Sequence, residues 1–228
     1  MNCRVFVDSN IFKYAASQLP RYKPQLQTKN WGGSKFEETV YDSVIVNPND
    51  NVTNNPILRK EIELIPELVA LQKNGNIEFF ETIESKIETW GLPNMDSETG
   101  RLYGAKISTI EPPPEGSRSI VFGASVGIVA EQYEFLRKIE SKRFSEIQKA
   151  TGAFQGKNPP NRNQLLDAFH LWCAENSGCD VFLTGEAKKL RDSMQRKKMF
   201  IYKTKVLLPS ELLNSIDGRL NKKQHRTS

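Results

Sequence analysis

Apolar residues in this chain fall into short runs separated by stretches with helical spacing. The run Cys3–Val7 is rich in β-branched and aromatic residues and bounded by polar ones, which predicts a buried first strand ending at Asp8. Ser9 or Asn10 then offers an N-cap oxygen for a helix through Ala16. Leu58, Ile62, Ile65, Leu68, Val69 and Leu71 recur at helical spacing, and Gly75 supplies a stop. Residues 77–80 predict a second strand, and residues 85–90 a short helix with Ile87 and Trp90 on one side, ended by Gly91 and Pro93. Val121, Ile128 and Phe135 fall seven apart with Ile139 extending the stripe, which predicts one long amphipathic helix. Leu165, Leu166, Ala168, Phe169, Leu171, Trp172 and Ala174 leave almost no polar face, so the helix around Asp167 is predicted to be buried. A third strand at 180–183, a helix opening near Gly185, a fourth strand at 199–202 and a last helix from Pro209 complete the pattern.

Strands alternating with helices predict parallel pairing in a doubly wound α/β sheet with helices on both faces. Two stretches interrupt the alternation. Residues 19–56 are rich in Pro, Asn, Gly, Lys and Thr with little periodicity, and read as a long loop or insertion. Residues 95–160 form a second insertion, whose first part, punctuated by Pro112, Pro113 and Pro114, reads as an ordered insertion or lid. A chain of 228 residues accommodates one sizeable domain, 1–217, carrying both insertions. The polar and basic end, 218–228, is expected to be a disordered tail able to touch phosphates.

Composition narrows the partners. Hydrophobic residues make up 38% of the chain, and the formal net charge is +5. A positive surface suits a polyanion, and lysine and arginine gather locally at 137–143 and 196–198. Cys3, Cys173 and Cys179 match no metal-ribbon spacing and do not suggest a disulfide framework. No apolar run approaches the ~20 residues of a membrane span, and Arg4 and Asp8 stand where a signal peptide would be apolar, so a cytoplasmic protein without a membrane partner is expected.

Four acids stand out against this background. Asp8, Glu88, Asp167 and Glu186 each lie at the end of a predicted strand or on a helix beside one, in otherwise apolar surroundings. A carboxylate there is costly unless it bonds a donor or a metal, and four that converge make an oxygen-ligand site for a divalent cation. In open α/β sheets, ligands bind outside the carboxyl ends of the strands, where Asp8 and Glu186 are expected. His170, one turn beyond Asp167, reads as a hydrogen-bonded core residue. Gly123 and Gly127 are not followed by Gly-Lys-Ser/Thr, so a phosphate loop is excluded there.

The same residues carry a resemblance to the PIN-domain ribonucleases, which include VapC-like toxins and RNA-processing nucleases. VFVDSNIF resembles that family's apolar strand followed by Asp-(Thr/Ser)-Asn, here Asp8, Ser9 and Asn10. TIESKIETWG resembles its hydroxyl pair and following acid, here Thr82, Ser85 and Glu88. LLDAFHLWCAENSGCDVFLTGEAKKL is similar to its helix Asp, glycine turn, strand and Thr-x-acid, here Asp167, Gly178, Thr184 and Glu186, with Glu where the family usually has Asp. These matches cover about a quarter of the chain, in the family's order.

The resemblance implies a doubly wound PIN-like fold and metal-dependent endoribonuclease activity that leaves a 5′-phosphate and a 3′-hydroxyl. Asp8, Asp167 and Glu186 would hold Mg²⁺ or Mn²⁺, and Glu88 would accept a proton from water or bind a second ion. Ser9, Asn10 and Thr184 would orient ligands or the scissile phosphate. RNA is then the expected partner, with an antitoxin protein and a second copy of the chain as further candidates. Two other classes compete: a catalytically weak PIN-fold RNA- or protein-binding module, and a haloacid-dehalogenase-like phosphatase, which needs Asp-x-Asp where this chain has Asn10. Asp8→Asn or Asp167→Asn is expected to abolish cleavage and leave the melting temperature equal or higher, because acid repulsion is relieved.

Overall fold

Five short strands pair in parallel around the first of them. In the computed structural model, which describes residues 2–16, 19–46, 55–89, 100–120, 128–154, 160–196 and 204–224, β1 (Cys3–Val7) lies between β4 (Ile77–Glu81) and β6 (Val181–Leu183). Outside these lie β5 (Ile107–Thr109) beside β4 and β7 (Lys205–Leu207) beside β6. The register sets Val5 opposite both Phe79 and Val181. Side chains alternate across the sheet, so Cys3, Val5, Val7, Ile77, Phe79, Val181 and Leu183 enter one core, and Phe6, Phe80 and Phe182 enter the other. Phe6 stacks on Phe182 with ring centroids 5.5 Å apart.

Helices bury both faces. The first core is closed by α1 (Ser9–Ala15), α2 (Pro56–Glu63), α3 (Ile65–Lys73) and α9 (Pro209–Gln224), through Ile11, Phe12, Ile62, Ile65, Leu68, Leu212 and Ile216. The second is closed by α5 (Ile128–Arg137), α6 (Lys142–Thr151), α7 (Arg162–Asn176) and α8 (Ala187–Arg196), through Leu136, Phe144, Ile147, Phe169, Trp172 and Leu190. The chain is thus an α/β protein with a five-stranded parallel sheet flanked by helices. Among the described residues no helix is long and apolar enough to cross a membrane.

Several sequence expectations change in detail. The periodic stretch 56–73 is two helices, because Pro66 lacks an N–H and its ring would clash with the carbonyl four residues back; the chain breaks at Leu64. The stretch expected as a loop after residue 19 is an antiparallel hairpin, β2 (Leu19–Trp31) and β3 (Ser34–Val46), turned by Gly32 and Gly33 at φ 57° and 82°. It stands apart from the main sheet, and polar residues on both of its faces hide the period of two. Within 95–117, residues 107–109 supply the sheet-edge strand β5. The long helix expected over 121–139 is shorter: α5 ends at Arg137, Ser141 caps α6, and residues 121–127 lie outside those described. The fourth strand expected at 199–202 also lies outside them, and the parallel partner of β6 is β7. Residues 218–224, expected as a disordered tail, continue α9 as helix.

Candidate acidic site at the carboxyl ends of the central strands

The chain builds the sheet outward from β1 to β4 and β5, then crosses back to place β6 and β7 on the other side. The direction reverses between β1 and β6, so the carboxyl ends of these two strands open a crevice at the switch point. Asp8 ends β1, with its backbone N–H donating to Leu183 O at 3.0 Å, and Thr184 ends β6 beside it.

Asp8 is 2% exposed, and its carboxylate is almost fully engaged. Oδ1 accepts the Ser9 backbone N–H at 2.8 Å, which makes Asp8, rather than Ser9 or Asn10, the N-cap of α1. Oδ2 accepts the Asn10 amide at 2.6 Å and the Thr184 hydroxyl at 2.8 Å. The Asn10 amide also donates to Thr184 Oγ1 at 2.8 Å, and its carbonyl accepts the Gly185 N–H at 3.0 Å. Thr184 Oγ1 accepts the Glu186 N–H at 3.2 Å. Asn10 and Thr184 thus clasp the loop after β6 to the end of β1. A Cβ on Gly185 would come 3.0 Å from the Tyr14 ring and 3.2 Å from Leu58, so a larger residue there needs both side chains to give way by a few tenths of an ångström.

Three further acids reach the crevice. Asp167 comes from α7, and its carboxyl is pushed up to about 7, first by burial and then by the negative charge of Asp8, Glu186 and Glu88, with His170 opposing. Glu186 is exposed at the rim and pairs with Lys189 at 2.7 Å. Glu88 projects from α4 (Ile83–Thr89) and is 6% exposed at the side chain; Oε1 lies 3.9 Å from Lys13 Nζ, and Oε2 is buried with no hydrogen-bond partner. A cavity of about 600 Å³ is lined by Ser9, Asn10, Lys13, Glu88, Asn161, Asn163, Gln164, Asp167, Glu186 and Lys189. An adjoining pocket of about 240 Å³ adds Asp8, Thr184, Ser193 and Arg196.

His170, expected only as a core residue, is completely buried between two of the acids. Nδ1 lies 3.7 Å from Asp8 Oδ1, and Nε2 lies 3.6 Å from Glu88 Oε2 and 3.3 Å from Ser85 Oγ, which meets Thr82 Oγ1 at 3.1 Å. Burial lowers its pKa, but Asp8, Glu88 and Asp167 together more than offset this and hold it above the usual histidine value. The three-residue step from Asp167 was the signal for its place beside the acids. Lys13, Lys189 and the side-chain amides of Asn161, Asn163 and Gln164 carry no motif, so nothing in the residue order marked them.

The helix that carries Glu88 is anchored by a second buried carboxylate. Glu84 is 1% exposed and accepts both Nε and Nη2 of Arg118, at 2.7 and 3.0 Å, and the Gln132 amide at 2.8 Å. Arg118→Ala leaves that charge buried without its cation. It is expected to cost about 3–5 kcal/mol, lowering the melting temperature by roughly 10 °C, which thermal denaturation followed by circular dichroism would read.

The donors facing the crevice are hard carboxylate and amide oxygens, the type that Mg²⁺ or Mn²⁺ takes. The raised Asp167 carboxyl shows acids crowded in a buried site, and the Glu88 Oε2 without a hydrogen bond leaves acceptor capacity, so the residues fit a divalent ion in kind. As the side chains stand, no three His, Cys, Asp or Glu residues among those described are grouped tightly enough to hold one, so binding requires them to close inward. Comparison with protein-family models, with curated proteins and with solved structures found no match.

Proposed function

We propose that the protein is a metal-dependent endoribonuclease. The observation that carries the reading is the convergence of Asp8, Glu88, Asp167 and Glu186 on one crevice at the switch point of the sheet, where burial first and then the neighbouring acids push the Asp167 carboxyl up to about 7. The order of the motifs that resemble PIN-domain ribonucleases supports it. Asp8, Asp167 and Glu186 would hold the ion, which supplies positive charge to the phosphate oxygens and acidifies water. Asn10 and Thr184 keep the Asp8 carboxylate fixed through their two hydrogen bonds. Glu88, which lines the cavity, would accept a proton from water. Lys13 and Lys189 set positive charge on the cavity wall, where the phosphates of a bound strand would lie.

An aspartyl-phosphate route is disfavoured. In that route Asp8 would be the nucleophile. The general acid that such a phosphatase keeps two residues later is replaced by Asn10, whose amide is committed to Asp8 and Thr184.

Incubating wild type and Asp167→Asn with mixed RNA, with and without Mn²⁺, tests the proposal on a denaturing gel. Internal cuts leaving 5′-phosphate ends, made only by the wild type and only with the metal, are the expected result. RNA that is bound but uncut across metals would replace the nuclease with a binding module, and release of inorganic phosphate would favour the phosphatase.

A further inference from the structure

Packing gives no account of His170. A buried histidine in an apolar helix ordinarily has its ring nitrogens satisfied by hydrogen bonds, but here Nδ1 has none, and Nε2 has one long contact to Ser85. The ring sits instead with one nitrogen toward each carboxylate, Nδ1 toward Asp8 at 3.7 Å and Nε2 toward Glu88 at 3.6 Å. Phe6 and Phe169, with ring centroids 5.7 and 6.1 Å from it, hold it in place from inside the core.

We infer that His170 is a positioning residue that partitions the acidic crevice, so that the site takes one divalent ion on the Asp167 and Glu186 side of Asp8 and leaves Glu88 outside its coordination. The inference rests on the reading of the crevice as a metal site. Two carboxylates that share a Mg²⁺ or Mn²⁺ ion bring oxygens to about 2.1 Å from it, and so to within roughly 4 Å of each other. An imidazole whose two nitrogens face the two carboxylates occupies the space that such an ion would need. Asp167 and Glu186 line the same small pocket as Asp8, and Glu88 does not. Glu88 is thereby kept free of the metal.

Manganese titration of the full chain by calorimetry and electron paramagnetic resonance decides the matter without any activity measurement. The expected result is one Mn²⁺ per chain with an uncoupled six-line spectrum, retained in Glu88→Gln and lost in Asp8→Asn. His170→Ala opens the partition and is expected to admit a second, exchange-coupled ion that Glu88→Gln removes again; if that variant does not fold, the wild-type stoichiometry and the Glu88→Gln result stand without it. Two ions in the wild type, or loss of binding in Glu88→Gln equal to that in Asp8→Asn, overturns the inference while leaving the metal-site reading intact. No bound ion at all overturns both.

Discussion

Asp8→Asn is expected to lose RNA cleavage by about 10³-fold, the order seen when one charge-stabilising group is removed from an active site, and to melt below the wild type. Charge relief alone argues for the opposite stability change. The hydrogen bonds decide it, because an asparagine has one oxygen where Asp8 uses two. Oδ1 serves the Ser9 N–H, and Oδ2 serves the Asn10 amide and the Thr184 hydroxyl. Whichever way the new amide turns, its NH₂ faces a donor, and a buried donor goes unpaired at a cost of about 1–3 kcal/mol. In a chain this size that is a fall of roughly 5 °C. Thermal melts with a chelator present, alongside the gel assay, read both effects. An unchanged or raised midpoint would show that the clasp of Asn10 and Thr184 does not depend on the second oxygen.

Asp167→Asn behaves oppositely, and its effect depends on pH. The native carboxyl titrates at about 7 instead of the ordinary 3.8, so between those values the folded chain binds more protons than the unfolded one. Stability held at low pH is therefore lost as pH rises through this window. The asparagine variant has no such loss. Without metal it is expected to melt together with the wild type near pH 4 and above it at pH 8, by up to about 4 kcal/mol or roughly 10 °C. Mn²⁺ closes this gap at pH 8, because an ion that binds only the native wild type adds about 2.7 kcal/mol at a hundredfold excess over its dissociation constant and about 4.1 kcal/mol at a thousandfold. Differential scanning calorimetry across pH, with and without Mn²⁺, separates the two. Equal midpoints at every pH would mean that neither burial nor the other acids raise the Asp167 carboxyl, and a wild type indifferent to Mn²⁺ would remove the metal.

Asp8 and Asp167 were given the same expected response from sequence, and only their surroundings part them. Both are acids in apolar context, which is as much as residue order conveys. One turns out to accept three hydrogen bonds at a helix N-cap, and the other is buried beside carboxylates that repel its charge.

The alternation of β-branched runs with helical spacing was enough to reveal a parallel α/β sheet, because each strand buried on both faces must be apolar throughout and each crossover must be long. The same logic located β1, β4 and β6 to within a residue and recognised α7 as the buried helix around Asp167. It failed where burial was absent or slight. The hairpin β2–β3, where its side chains are described at 25–30 and 32–40, is mostly exposed and shows no apolar period, and β5, three residues long and largely exposed, could not be told from its loop.

The acids themselves, their order and their place at strand ends followed from the sequence, since a carboxylate in an apolar run needs a reason to be there. What surrounds them did not. Whether Thr184 and Asn10 grip Asp8, whether Glu88 is left with an orphaned oxygen, and whether His170 stands between two carboxylates depend on which strand ends become neighbours. That choice is made by the crossover from β5 to β6, which brings residues about 170 positions apart to within hydrogen-bond distance, and no local pattern encodes contacts over such a span.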